Sequence, residues 1–133
     1  MANSSSLTDY IEERNSEPHA NPIWMREVTF VVEADGGATE LSHTVVVNGM
    51  LRNMTIEVGA ANGITGTINL DVDDINSVAL DTNNTLAEGS GTLVSFNSGV
   101  GIPVNNFILR CDPSDDPTAG SDDWEIVVTC RGD

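Results

Sequence analysis

The sequence predicts an all-β protein: a β-sandwich or jelly-roll-like antiparallel domain carrying an extended N-terminal arm. Three observations carry this expectation. About eight segments alternate apolar and polar residues with a period of two, the mark of strands with one buried face. Turn signals such as Asp35-Gly36-Gly37, Asn48-Gly49 and Asn97-Ser98-Gly99 separate these segments at short, regular intervals. The apolar residues are rich in valine and isoleucine, whose branched side chains suit a pleated surface. No segment has a helical period long enough for an α/β fold, and no solenoid repeat is present.

Residues 1–22 are polar, with Pro18, Pro22 and several serines and asparagines, and read as a flexible arm. Thr8 to Arg14 could form a short helix capped by Thr8, although so short a helix is unstable alone. Residues 23–133 read as a single β-sandwich domain. Arg26 to Ala34 puts Val28, Phe30 and Val32 on one face, and Leu41 to Asn48 returns with Leu41, His43, Val45 and Val47 facing the same way. The two are expected to pair as a hairpin, broken at Asn48-Gly49. Met54–Val58 follows, then Ile64–Val72, a short strand over Ile75–Asp81, a loop over Thr82–Gly91, and Thr92–Phe96.

Val104–Cys111 and Trp124–Cys130 can be slid into one antiparallel register in which both faces agree. Phe107 then faces Val128, Leu109 faces Ile126, Cys111 faces Trp124, and Arg110 lies opposite Glu125. The acidic stretch Asp112–Asp123 would be the loop between them. In that register the cysteines lie roughly 20 Å apart, out of disulfide reach. Both are expected to be buried free thiols.

The 133 residues suffice for one domain, able to bury about two-thirds of its unfolded surface. Charge is the dominant compositional fact: 21 acidic residues against 5 arginines, no lysine, and a net charge of −16. Nucleic acid and anionic lipid are bound through basic side chains, so neither is an expected partner. No run of residues has the length and apolarity of a membrane helix. The N-terminus lacks the basic start and apolar stretch of a secretion signal, so synthesis in the cytoplasm is expected.

No residue set spells out a reaction. The histidines are His19, in the arm, and His43, on a strand; neither sits beside a nucleophile motif, and the cysteines point inward. No enzyme activity and no cofactor are expected. Calcium would find oxygens at Asp112, Asp115, Asp116, Asp122 and Asp123, or at Asp71, Asp73 and Asp74, but solvated acidic loops are the simpler expectation. The run from Asp112 fails as an EF-hand because Pro117 stands where glycine is needed. Arg131-Gly132-Asp133 matches an integrin-binding tripeptide and is read as coincidence. Tyr10, Ile11, Ile23 and Trp24 are the apolar residues of the arm and its root, and are the candidates for partner binding.

From residue 44 to 131 the layout resembles small all-β virion proteins of tailed phages and tailed archaeal viruses. The resembling features are the Val45–Leu51 lead-in, the Ile64–Asp74 strand ending in two aspartates, the Gly101–Leu109 segment and the aspartate-rich close. The resemblance implies a capsid decoration (cement) protein, or else a neck, tail or adhesion component. Its implied partners are the major capsid protein and copies of itself, and its implied location is the virion. A carbohydrate-binding β-sandwich module is the other alternative, and that would call for exposed aromatic rings.

Overall fold

A computed structural model describes residues 4–12, 23–33, 39–60, 66–117 and 123–133 of the chain. Among these residues eight strands form one antiparallel, β-sandwich-like sheet system: β1 (Ser4–Glu12), β2 (Ile23–Val32), β3 (Leu41–Val58), β4 (Thr67–Asp74), β5 (Ala79–Ala87), β6 (Gly91–Ser95), β7 (Ile102–Pro113) and β8 (Trp124–Gly132). The strand order is β1-β2-β8-β3-β7-β4-β5, with β6 also on β3.

The organiser is β3, whose 18 residues serve two sets of partners. Its first part, Leu41 to Leu51, pairs with β7, and its second part, Leu51 to Val58, pairs with β8 and with β6. Two irregularities bend it. The first lies between Val45 and Asn48, where Asn106 on β7 has a positive φ of 59° and its Oδ1 accepts from the Val47 N–H at 3.1 Å. The second lies between Leu51 and Asn53. Bulges of this kind turn a strand and raise its twist, which lets one strand pass from one layer to the other.

Alternation sets the core. β2, β4, β7 and β8 each bury every second residue along most of their length, and the buried side chains join in one cluster. Phe30, Phe107, Trp124, Leu51, Ile56 and Ile126 are among its fully enclosed members.

The two expected hairpins do not form. β7 and β8 are separated by β3, so Phe107 lies opposite Val45 rather than Val128, and Cys111 lies opposite Leu41 and Leu70. Val128 instead pairs with Val28 and Ile56. Likewise β2 pairs with β1 and β8, not with the start of β3. The inward-facing residues were nonetheless the expected ones, because side-chain parity along a strand is independent of which strand lies beside it. Cys111 and Cys130 are both buried free thiols, each pushed up to about 12 mainly by burial.

Three boundaries also differ. Residues 8–12 belong to a strand rather than a helical turn, with Thr8 opposite Glu27 and Asp9 opposite Arg26. Asn48-Gly49 does not break β3; Gly49, at φ 153°, sits within it. Ile75 to Val78 is a turn, and the strand that follows runs on through Thr82–Ala87, where a loop was expected. That extension is held by β4, where Asn69 Oδ1 accepts from the Thr85 N–H at 2.8 Å across a bulge; within β5 itself Asn83 Nδ2 donates to Asp81 Oδ2 at 2.6 Å.

Candidate partner-binding surface

The sequence-named residues cluster at one edge of the sheet. In the β1–β2 register Ile11 lies opposite Trp24, Tyr10 opposite Met25, and Glu12 opposite Ile23. Trp24 is 5% exposed and belongs to the core of its own chain; its Nε1 has no hydrogen-bond partner among the described residues. Ile23 is half-buried. A partner reaching Trp24 would have to displace this chain's own packing. A partner meeting Ile23 would find part of it already open.

The exposed large apolar residues lie elsewhere: Val46 and Leu93 at 68% and Val100 at 61% stand in separate segments, while three are grouped at the tip joining β4 to β5. Ile75 is 53% exposed, Val78 58% and Leu80 37%. Sequence reasoning missed this group because Ile75, Val78 and Leu80 alternate loosely with polar neighbours and so read as a strand. The available signal was Asp74-Ile75-Asn76-Ser77, an Asx-turn pattern. Asp74 Oδ1 accepts from the N–H groups of Asn76 and Val78 at 2.8 and 2.9 Å. The Asp74 N–H donates to the Val78 carbonyl at 2.9 Å, and the Ser77 N–H donates to the Asp74 carbonyl at 3.0 Å. Ser77 holds the left-handed conformation the turn requires, at φ 63°.

Arg110 fastens this tip to the sheet. Its Nε donates to Asp73 Oδ2 at 2.7 Å, its Nη1 to Glu40 Oε1 at 3.3 Å, and its Nη2 to Ser77 Oγ at 3.2 Å. The expected Arg110–Glu125 pair is therefore replaced by contacts to a different strand, because β4 and not β8 is the neighbour of β7 on that side. The bond to Asp73 makes the guanidinium hold its proton more firmly still. One positive charge thus sits among several carboxylates.

Asp71 shows the cost of that crowding. Its Oδ1 is buried without a partner, and its carboxyl is raised above the usual range, first by burial and then by Asp73, Glu40, Asp112 and Asp81. A carboxyl whose folded value exceeds its unfolded value destabilises the fold while charged, and the penalty fades as pH falls through the folded value toward the unfolded one. We therefore expect Asp71→Asn to raise the melting temperature at pH 7 by a few degrees. The difference from wild type should shrink on acidification toward pH 4. Melts at the two pH values check this, and a lower melting temperature for the variant at pH 7 would contradict it.

The remaining candidates are placed as follows. Asp73 and Asp74 are engaged by Arg110 and by the turn, and among the described residues no group of three or more His, Cys, Asp and Glu side chains is arranged to hold a metal ion. Asp122 and His19 lie outside the described residues. His43 is half-buried on β3 opposite Leu109. Gly132 of the Arg131-Gly132-Asp133 tripeptide is buried inside β8, and Asp133 exchanges two backbone hydrogen bonds with Met50. Those three residues are built into the sheet rather than displayed on a loop. Among the described residues no helix is long and apolar enough to cross a membrane.

No family model matches the chain, and no curated protein matches it. Among solved structures it is similar to one of infectious bursal disease virus, Gx strain, at 12% identity and a TM-score of 0.35, over 96% of this chain and 32% of that one. It is also similar to one of the Gt strain of that virus, at 10% identity and a TM-score of 0.34, over 97% of this chain and 33% of that one. The chain spans about a third of the length of these viral chains.

Proposed function

We propose that this protein is a non-enzymatic structural component of a virus particle, a decoration protein that binds the outside of the shell and stabilises it through contacts between subunits. The observation that carries the reading is the open sheet. It ends on β1 at one side and on β5 at the other, and most of the β5 side chains are exposed. Edge strands offer unpaired backbone donors and acceptors to another chain, a route by which a β protein can join its neighbours. A net charge of −16 directs such contacts away from nucleic acid and lipid and toward basic protein surfaces.

The aromatic rings weigh against the carbohydrate-binding alternative. Among the described side chains, Trp24, Phe30, Phe96, Phe107 and Trp124 are all buried, so none offers a sugar-stacking platform.

The N-terminal 22 residues supply the tie between copies. β1 pairs with β2 in its own chain, and the same register would serve the β2 of a neighbour. Exchange would then preserve every strand pair. Residues 13–22 separate the two strands, a span that reaches at most about 33 Å when extended. On a shell, where neighbours are held close, such a link gains from high local concentration.

The test is co-sedimentation with empty shells of the parent virus. Full-length protein is expected to bind. Deleting residues 1–22 should leave a folded β protein, because β2 keeps its pairing with β8, and should weaken binding strongly. Equal binding by the truncated form would remove the role of the arm. Failure of the intact chain to bind shells, with co-purification on tails, would replace decoration by the tail reading.

A further inference from the structure

The tip between β4 and β5 has three properties that together describe a docking element. It is apolar where it protrudes: Ile75, Val78 and Leu80 are each more than a third exposed. It is rigid, because four hydrogen bonds close Asp74–Val78 and Arg110 pins Ser77 to Asp73 and Glu40. A rigid apolar protrusion loses little conformational entropy on binding, which is what distinguishes an anchor from an ordinary exposed side chain. And it is flanked by acid. Asp73 and Asp74 precede it, Asp81 follows Leu80, and Glu40 is held beside it through Arg110.

The acidic flank decides between occupants. A second copy of this chain would bring a net charge of −16 toward a flank that already gathers Asp73 and Glu40 on one arginine, with Asp74 and Asp81 on either side of the apolar residues. A basic partner would be drawn to that flank. We propose that the Asp74–Leu80 tip plugs an apolar socket rimmed by lysine or arginine on the shell protein. This rests on the decoration reading above and adds to it the surface that meets the shell, leaving β1 for contacts between copies.

The acidic flank further implies that docking weakens with salt, because the opposed charges lie at a solvent-accessible rim. The apolar contact implies that high salt alone does not abolish it.

The experiment compares wild type, the double variant Ile75→Asp with Val78→Asp, and Leu93→Asp as a control, in binding to empty shells at low and high salt. Leu93 is 68% exposed but lies on β6, opposite Thr55 in the second part of β3, which does not pair with β7 or β4. Circular dichroism and a melt establish that each variant folds. The tip variant is expected to lose about a hundredfold in affinity, the size of a hot-spot loss, while Leu93→Asp changes binding by less than about threefold, as for a surface residue outside a contact. Wild-type binding should fall with added salt. If the tip variant binds shells as wild type does, this proposal fails while the decoration reading stands. If wild type does not bind shells at all, both fail. Sedimentation at matched concentrations supplies the other overturning result: a wild type that self-associates and a tip variant that does not would assign the tip to copies of this chain.

Discussion

Replacing Trp124 with alanine is expected to destabilise the protein by about 3–5 kcal/mol, the range for removing a large aromatic from a packed core. Trp124 is fully enclosed, the largest of the enclosed side chains, and it stands opposite Val32 at the end of the β2–β8 ladder. Its Nε1 donates to the Gly59 carbonyl at 2.8 Å, which ties the end of β3 to β8. The Gly59 N–H in turn donates to the Glu125 carbonyl at 2.9 Å. Alanine would therefore leave a cavity and take away the shorter of the two hydrogen bonds to the Gly59 carbonyl, which would keep only the Gly89 N–H at 3.3 Å. Since the total stability of a domain is about 5–15 kcal/mol, the variant should unfold at much lower urea. Trp124→Phe separates the two contributions: it keeps most of the volume and should cost little more than the hydrogen bond, about 1 kcal/mol. Urea midpoints for the three proteins measure this. A loss below about 1 kcal/mol for the alanine variant would mean that the ring does not sit in the core.

The second large effect is expected at Gly132, where Gly132→Ala should cost about 2–3 kcal/mol through overpacking. A Cβ there would run into the Met50 carbonyl oxygen and the Trp24 ring. Neither can retreat easily. The Met50 carbonyl accepts from the Asp133 N–H at 3.1 Å while the Met50 N–H donates to the Asp133 carbonyl at 2.8 Å. The Trp24 ring is buried in the core. The cost is one of space, since Gly132 is not among the residues with positive φ. Gly91→Ala is the matched control in β6: a Cβ there meets nothing within 4 Å, and that variant should be neutral or slightly stabilised. Equal melting temperatures for the two variants would refute the close approach of β8 to Trp24 and Met50.

What the amino-acid order determined by itself was parity. Phe107, Leu109 and Cys111 on one strand, and Trp124, Ile126, Val128 and Cys130 on another, were readable as inward-facing, and all are buried. Period-two alternation is a property of the strand alone, so it survives any choice of neighbour. The all-β class follows from the same local rules; the free thiols do not, since they were inferred from a β7–β8 register that does not form, although both cysteines are free and buried. The anionic surface is a matter of composition.

Which strand lies beside which was decided only by the tertiary structure. A register that satisfied both faces of Val104–Cys111 against Trp124–Cys130 was self-consistent, yet β3 occupies the space between them and offers Val45 and Ile56 as equally apolar partners. Apolar side chains do not discriminate among apolar neighbours, so local complementarity could not select the pairing. The discriminating contacts are polar and distant in sequence. Arg110 reaches Asp73, Glu40 and Ser77, and Asn106 caps Val47 at a bulge that bends β3. The exposed tip was hidden for the same reason. Ile75, Val78 and Leu80 are as apolar as core residues, and only the Asp74 turn and the free edge of β5 leave them in water.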